Sequence, residues 1–322
     1  MNVSLEKIAS VIKDANSVLI MGHMRPDGDD IGSVLALSRA LDLLGIPNEA
    51  CVETDIPANL RFVEGIDKIK KAPTREYDLL IVVDSSDEQR LGNLSEEFFL
   101  ARRKKIDTIN VDHHVSNTRF AKYNYVRQCA ANCMNIASLT ELLGVSFDKL
   151  LAEYLFIGLL TDSGDFSHDD VDEEAFLLAA KLIKTGADLS GLQYALFKKQ
   201  SKQRAALYAK VVNGIRYYHD DHFAVVITTR EAISACGAEA SMTEGFVDFP
   251  LSIDGVEVAA ALLEVRKGQY KISLRSKSYV DANKLAGVFG GGGHVRAAGC
   301  MLFGELEEVL DKLSYAVSQY LE

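Results

Sequence analysis

Tryptophan is absent from this 322-residue chain, cysteine is scarce, and no apolar run approaches the roughly 20 residues needed to span a membrane. The five cysteines (Cys51, Cys129, Cys133, Cys236, Cys300) are an odd number and lack Cys-x-x-Cys spacing. That argues against a disulfide framework and fits buried free thiols in a reducing compartment. The opening Met-Asn-Val-Ser-Leu-Glu-Lys-Ile reads as the start of an amphipathic helix and lacks the long apolar core of a signal peptide, so a cytoplasmic location is expected. Basic charge is also short: 35 Lys and Arg against 46 Asp and Glu leave −11, which argues against a protein that coats long nucleic acid. Internal repeats and low-complexity segments are missing too. What remains is ordinary for a globular protein, with 48% hydrophobic and 25% charged residues and enough length for two domains.

Apolar periodicity predicts a helix at about residues 4–14, and Ser17–Gly22 reads as a buried strand followed by a helix at about 31–44. Tyr77–Asp84 and Thr108–Asp112 are further buried strands, a short extended piece starts at Cys51, and helices are expected at about 95–103, 131–143, 148–161 and 172–186. Strands that alternate with helices and read as continuous apolar runs imply a parallel sheet covered on both faces. The rhythm changes after a mixed-charge helical stretch: His222–Thr228, Val256–Val265 and Gln269–Arg275 read as strands, with helices at about 281–289 and 304–320. The expected fold class is therefore α/β, with a parallel-sheet domain at residues 1–190, a helical connector at 191–216 and a smaller α+β domain at 217–322.

Four stretches carry the chemistry: His23-Met-Arg-Pro-Asp27-Gly-Asp29, Asp84-Ser-Ser-Asp87, Asp112-His113-His114 and Thr161-Asp162-Ser-Gly164. Each follows an apolar run that could end a buried strand or helix, and ligands of parallel sheets bind beyond the carboxyl ends of the strands. Carboxylates with a few imidazoles suit hard or borderline divalent cations such as Mn²⁺. Asp-rich turns and helix capping are the alternative account of Asp27 and Asp29, and a solvated strand end that of Asp112–His114. The recurrence of acids at several strand ends favours one metal site.

In this order the motifs resemble the DHH phosphoesterase superfamily, and Gly290-Gly-Gly-Gly293-His294-Val-Arg-Ala-Ala-Gly299 resembles the signature of its DHHA1 domain. The resemblance runs from about residue 17 to 300, and in length and layout it points to the small cytoplasmic members that act on short RNA and on nucleoside bisphosphates. It implies two divalent ions, Mn²⁺ by expectation, one held by His23, Asp27 and Asp84 and the other by Asp29, Asp84, His113 and Asp162, with Asp84 shared and part of the catalytic pair with His114. His114 is expected to contact phosphate or assist proton transfer to the leaving group, and Asp112 to orient an imidazole. The glycine run, without this context a flexible linker, is expected to form a loop in which Gly291, Gly292, Gly293 and His294 hold the substrate across an interdomain cleft that closes on it. Arg275, Lys277 and Arg90 complete the expected substrate contacts, with solvated strand ends or surface ion pairs as the alternatives, and Asn117 is expected to help position either the loop or the substrate.

The chain departs from the family pattern where Cys129, Asn132 and Cys133 replace a Ser- and Thr-rich turn, and where Asp165, His168, Asp169 and Asp170 make the loop after Gly164 acidic. No expected metal ligand is missing, so the departures bear on substrate preference. The expected substrates are very short RNA and 3′-phosphoadenosine-5′-phosphate. A phosphodiesterase for pApA or cyclic di-AMP uses the same parts. A RecJ-like exonuclease, a family II pyrophosphatase and a non-catalytic nucleotide sensor fit less well, and a homodimer is left open.

Overall fold

A computed structural model describes residues 2–321, whose contacts divide into two compact units, Met1–Lys199 and Gln200–Glu322. The first unit runs α1 (Leu5–Lys13), β1 (Val18–Met21), α2 (Gly28–Leu43), β2 (Asn48–Cys51), β3 (Leu79–Val83), α3 (Ser95–Arg103), β4 (Asp107–Asp112), β5 (Tyr123–Val126), α4 (Asn132–Leu143), α5 (Lys149–Asp162), α6 (Glu173–Thr185) and α7 (Leu189–Gln193). Its five strands pair in the order β2-β1-β3-β4-β5, all parallel. Every residue of β1 and β3 is buried, which is why these strands read as unbroken apolar runs and not as alternation. One face of the sheet packs on the core built by α1, α2, α4 and α5; the other is covered by α3 through Phe98 and Ala101. Because β1, β3 and β4 are adjacent and parallel, the residues just past their carboxyl ends are brought side by side.

The second unit runs α8 (Lys202–Val212), β6 (Arg216–Tyr218), β7 (Phe223–Thr228), α9 (Arg230–Ala235), α10 (Asp248–Ser252), β8 (Val258–Arg266), β9 (Gln269–Ser276), α11 (Ala282–Gly287), β10 (Gly292–His294), β11 (Ala297–Phe303) and α12 (Leu306–Ser318). Its mixed six-stranded sheet has the order β10-β11-β9-β8-β7-β6, antiparallel except where β7 meets β8. The expected α/β fold, a parallel-sheet unit followed by a smaller α+β one, is the one observed. The stretch expected to be a connector divides between them. Leu207 and Val211 of α8 are buried with Val226, Ala232 and Phe246 of the second unit. Among the features that were not legible are β5, a short polar strand, and the β10–β11 hairpin, whose glycines gave no strand signal.

Helices α2 and α5 lie unusually close in the first unit, and glycines make that possible. A Cβ on Gly32 would sit 2.5 Å from the Tyr154 carbonyl oxygen, and one on Gly28 2.4 Å from the Thr161 side chain. One on Gly158 would sit 2.1 Å from Cys133 Sγ and 2.6 Å from Asp29 Oδ1. Gly158→Ala is therefore expected to lower stability by about 1–3 kcal/mol, the cost of overpacking a rigid core, as read from urea denaturation midpoints at constant m-value.

Candidate metal centre

The His23 imidazole is 2% exposed just beyond β1. Its Nδ1 lies 2.9 Å from the Met24 carbonyl oxygen, an acceptor only, so Nδ1 carries the proton and Nε2 is left as a lone-pair donor. His113, beyond β4, is oriented the same way: Nδ1–H donates to the Cys129 carbonyl at 2.9 Å. The two free Nε2 atoms approach opposite oxygens of Asp84, His23 at 3.7 Å from Oδ2 and His113 at 3.4 Å from Oδ1. His113 Nε2 is also 3.3 Å from Asp162 Oδ2 at the end of α5. Asp84 itself sits just past β3 in the left-handed region, with φ +52°, at 2% exposure. A non-glycine residue held there by a buried surround is a local strain of the kind that collects at functional sites.

The helix that follows β1 supplies the remaining acids. Asp27 is the N-cap of α2, and its Oδ1 accepts from Asp29 and Asp30 N–H at 3.0 Å each. Its Oδ2 stays 3.9 Å from His23 Nε2, so capping and site chemistry share one carboxylate. Asp29 is 1% exposed and accepts from the N–H groups of Asn132 (2.5 Å) and Cys133 (2.9 Å) at the start of α4. At the departure from the family pattern, Cys129, Asn132 and Cys133 meet His113 and Asp29 through backbone C=O and N–H groups, which do not depend on hydroxyl side chains.

Burial and crowding push these acids up. Desolvation, then Asp29, raises the Asp84 carboxyl well above the usual range; desolvation also raises Asp29, and it pushes Asp30 and Asp162 up to about 7. Burial works against the charged form of His113 too, yet Asp29, the Cys129 carbonyl and Asp162 win, and its pKa is raised. Four carboxyls pushed up in this way by burial and by one another's charge call for positive charge. The donor geometry agrees. His23 Nε2, Asp84 Oδ1 and Asp30 Oδ2 are buried polar atoms with no hydrogen-bond partner among the described residues. Three groups of ligand atoms, His23/Asp30/Asp84, Asp84/His113/His114 and Asp29/His113/Asp162, each lie within 4.8 Å. Oxygen and imidazole donors in this mix fit hard or borderline divalent cations.

His114 stands apart from the other imidazoles. Its Nδ1 pairs with Asp112 Oδ1 at 2.7 Å, leaving Nε2 free on a side chain that is 30% exposed. Asp112 is held below the ordinary carboxylate range despite its burial, by the hydrogen bonds from His114 and Asn117. Asn117, expected at the substrate, is instead 6% exposed, and its amide donates to Asp112 Oδ2 at 2.6 Å and to Asn110 Oδ1 at 2.8 Å. Its place is behind the site, because all its donor capacity goes to protein acceptors. Asp87 accepts from Gln89 and Arg90 N–H, and the Arg90 carbonyl accepts from Met24 N–H at 2.7 Å, so the Arg90 backbone braces the His23 loop while its side chain is half-buried.

In the second unit Arg275 and Lys271 line a polar cavity of about 350 Å³ with Ser273 and Thr228. Arg275 Nε is 3.9 Å from Asp248 Oδ1, and Lys277 Nζ donates to the Ile253 carbonyl at 3.0 Å. The glycine run is not a loop throughout. Gly292, Gly293 and His294 form β10, and His294 is exposed. A Cβ on Gly291 would meet the Gly299 carbonyl oxygen at 2.2 Å, and one on Gly293 the Ala297 carbonyl oxygen at 2.4 Å. Gly293 also has φ +154°. Glycine at these two positions is thus required by the hairpin itself. Gly292 has only Asn283 Oδ1 near, at 3.6 Å. The sequence reading missed Asp30 and Lys271. Asp30 directly follows Asp29, but neighbours on a helix point about 100° apart, so adjacency alone does not place both in one site.

With this fold and this arrangement of acids and imidazoles, the chain belongs to the DHH phosphoesterase family. Residues 17–159 match the DHH family, N-terminal domain, and residues 228–322 the DHHA1 domain. Over 98% of its length the chain is 33% identical to the bifunctional oligoribonuclease and PAP phosphatase NrnA of Thermus thermophilus, covering 93% of that protein. It is 26% identical to the probable bifunctional oligoribonuclease and PAP phosphatase NrnA of Streptococcus mutans, covering 96% of this chain and 98% of that one. The crystal structure of an exopolyphosphatase-related protein from Bacteroides fragilis superposes with a TM-score of 0.88 at 26% identity, covering 98% and 96% of the two chains. The two NrnA relatives are, by name, hydrolases of the DHH phosphoesterase family. No helix among the described residues is long and apolar enough to cross a membrane.

Proposed function

We propose that this protein hydrolyses very short RNA to mononucleotides, and 3′-phosphoadenosine-5′-phosphate to AMP and phosphate, with two divalent ions, Mn²⁺ by donor chemistry. The observation that carries the reading is the division of Asp84: Oδ2 faces the His23 nitrogen and Oδ1 the His113 nitrogen, both imidazoles already oriented by carbonyls. That supports Asp84 as the shared ligand, with His23 and Asp27 on one side and Asp29, His113 and Asp162 on the other. Ions held there would supply Lewis acidity, neutralising the phosphoryl oxygens and acidifying a water.

The protein's own groups do the rest. Water adds to phosphorus, the P–O ester bond breaks, and the departing alkoxide needs a proton. His114 Nε2, left free because Nδ1 is engaged by Asp112, takes up the proton released by the attacking water and passes it to the alkoxide; Asp112 orients the ring, and Asn117 fixes Asp112 in turn. Arg275 can grip a phosphate through paired donors, and Lys271 lies on the same strand face of the same cavity. Of Gly291, Gly292, Gly293 and His294, Gly292 and His294 are exposed without being required by the hairpin, which leaves them for substrate, and the Arg90 side chain is a further candidate. Lys277 already serves a carbonyl, which lowers its claim. The full relatives' names support short RNA and the bisphosphate as substrates.

The test compares Mn²⁺-dependent release from a 5′-phosphorylated RNA dinucleotide, a 24-mer RNA, 3′-phosphoadenosine-5′-phosphate and cyclic di-AMP. The dinucleotide and the bisphosphate are expected to turn over at least ~10²-fold faster than the 24-mer, since the chain's −11 charge opposes a long polyanion. Faster cleavage of cyclic di-AMP would replace the reading with a cyclic-dinucleotide phosphodiesterase, and silence on all four would refute it.

A further inference from the structure

Asp30 lies outside the motif that names the ligands, yet it is among the most completely buried charged groups of the first unit, at 0% exposure. Its Oδ1 accepts from His23 N–H at 2.9 Å and so fixes the loop that carries the imidazole. Its Oδ2 has no partner among the described residues, and neither does the His23 Nε2 atom. A carboxylate oxygen of Asp30, one of Asp84 and an imidazole nitrogen of His23 fall within 4.8 Å of one another. The carboxylate also lies against Gly22, where a Cβ would come within 2.3 Å of Oδ1. Gly22 thus leaves the room in which the Asp30 carboxylate sits.

A buried carboxylate oxygen without a hydrogen-bond partner is expensive, and among the described residues neither a hydroxyl nor a cation side chain bonds to this one. The economical partner is a cation shared with the adjacent His23 and Asp84 donors. We propose that Asp30 is a ligand of the ion held by His23 and Asp84, adding a third carboxylate to that side alongside Asp27 and Asp84. A site richer in carboxylate oxygen is harder, so it favours Mn²⁺ and Mg²⁺ over softer, imidazole-preferring ions such as Zn²⁺. This inference rests on the metal-dependent reading above.

Asp30→Asn is the informative change, because the amide oxygen can still accept from His23 N–H while the anionic ligand oxygen is lost. Mn²⁺ is titrated into the metal-stripped full chain by calorimetry, and free Mn²⁺ is counted in parallel by its electron paramagnetic resonance signal. The wild type is expected to take up two ions. Asp30→Asn is expected to weaken one of them by about 100-fold or more, beyond the ~10–100-fold lost when a group that only orients a ligand is removed. Far-UV circular dichroism should be unchanged. Equal stoichiometry and affinity in the variant would overturn the assignment, as would a loss in Asp30→Ala that Asp30→Asn fully restores, since Asp30 would then only hold the loop. Should Asp30→Asn not fold, Asp30→Ser also offers an acceptor to His23 and serves the same comparison. Failure of the wild type to bind Mn²⁺ at all would instead remove the metal-dependent reading, a separate result.

Discussion

Asp84→Asn is expected to abolish turnover of the dinucleotide and the bisphosphate alike, by more than ~10³-fold, and no Mn²⁺ concentration should restore it. Removing one electrostatic stabiliser from an active site costs ~10²–10³-fold, and Asp84 faces both halves of this centre through separate oxygens. Stability should move the other way. In the metal-free protein Asp84 is a 2% exposed acid surrounded by Asp29, Asp27, Asp30 and Asp112, and replacing it with a neutral isostere removes that repulsion. Asn also tolerates the left-handed backbone at φ +52° better than most residues, so the fold is not strained by the change. The expected variant is therefore inactive and, without metal, melts higher than the wild type. Residual turnover above a hundredth of wild type would end the assignment of Asp84 as the shared ligand.

Metal-free protein is expected to lose stability as pH rises from 5 to 8. Asp30 and Asp162 have folded values of about 7 against 3.8 for the free side chain. Between those values the unfolded chain has released protons that the folded chain still holds, so stability falls as pH rises and the loss is complete above about 7. His113 acts with the same sign, since its pKa is raised above 6.5 and its contribution fades as pH climbs through the raised value. Asp112 is lowered from 3.8, and its window lies below the range tested. Ions must displace the protons on Asp30 and Asp162, so binding should release protons and weaken on acidification. At pH 8 and a hundredfold excess over Kd, Mn²⁺ is expected to raise Tm by about 5–10 °C, with a markedly smaller rise at pH 5.5. Melting curves at both pH values, with and without Mn²⁺, check this; an equal shift at the two would mean that these carboxyls do not face the ions.

Much of the candidate site was legible because its residues follow the most legible elements. Val18–Met21 and Leu79–Val83 are apolar runs whose ends can be read without knowing what they pair with, and His23 and Asp84 follow those ends, while Asp112 closes the third strand and His113 and His114 follow it. Apolar periodicity marks α1, whose buried face is Leu5, Ile8, Ala9 and Ile12, and five ordered motifs were enough to indicate the family. Strand β5 escaped because Tyr123–Val126 is a polar edge strand with little apolar signal, and β10 because glycine suggests a linker wherever its neighbours are unknown.

Local sequence was enough for the class: which acids and imidazoles stand at which strand ends, and that an α/β unit precedes an α+β one. Tertiary structure alone decided which atoms of those residues are free. The Met24 and Cys129 carbonyls choose Nε2 of His23 and His113, α4 turns two backbone N–H groups onto Asp29, and Asn117 is drawn behind Asp112. It also decided that Asp30 points inward and that Gly291 and Gly293 serve their own hairpin. The physical reason is one of range. Periodicity and end signals arise from a residue's chain neighbours, whereas a carbonyl 16 residues away or a helix end 103 residues away acts on a side chain only once the sheet has assembled.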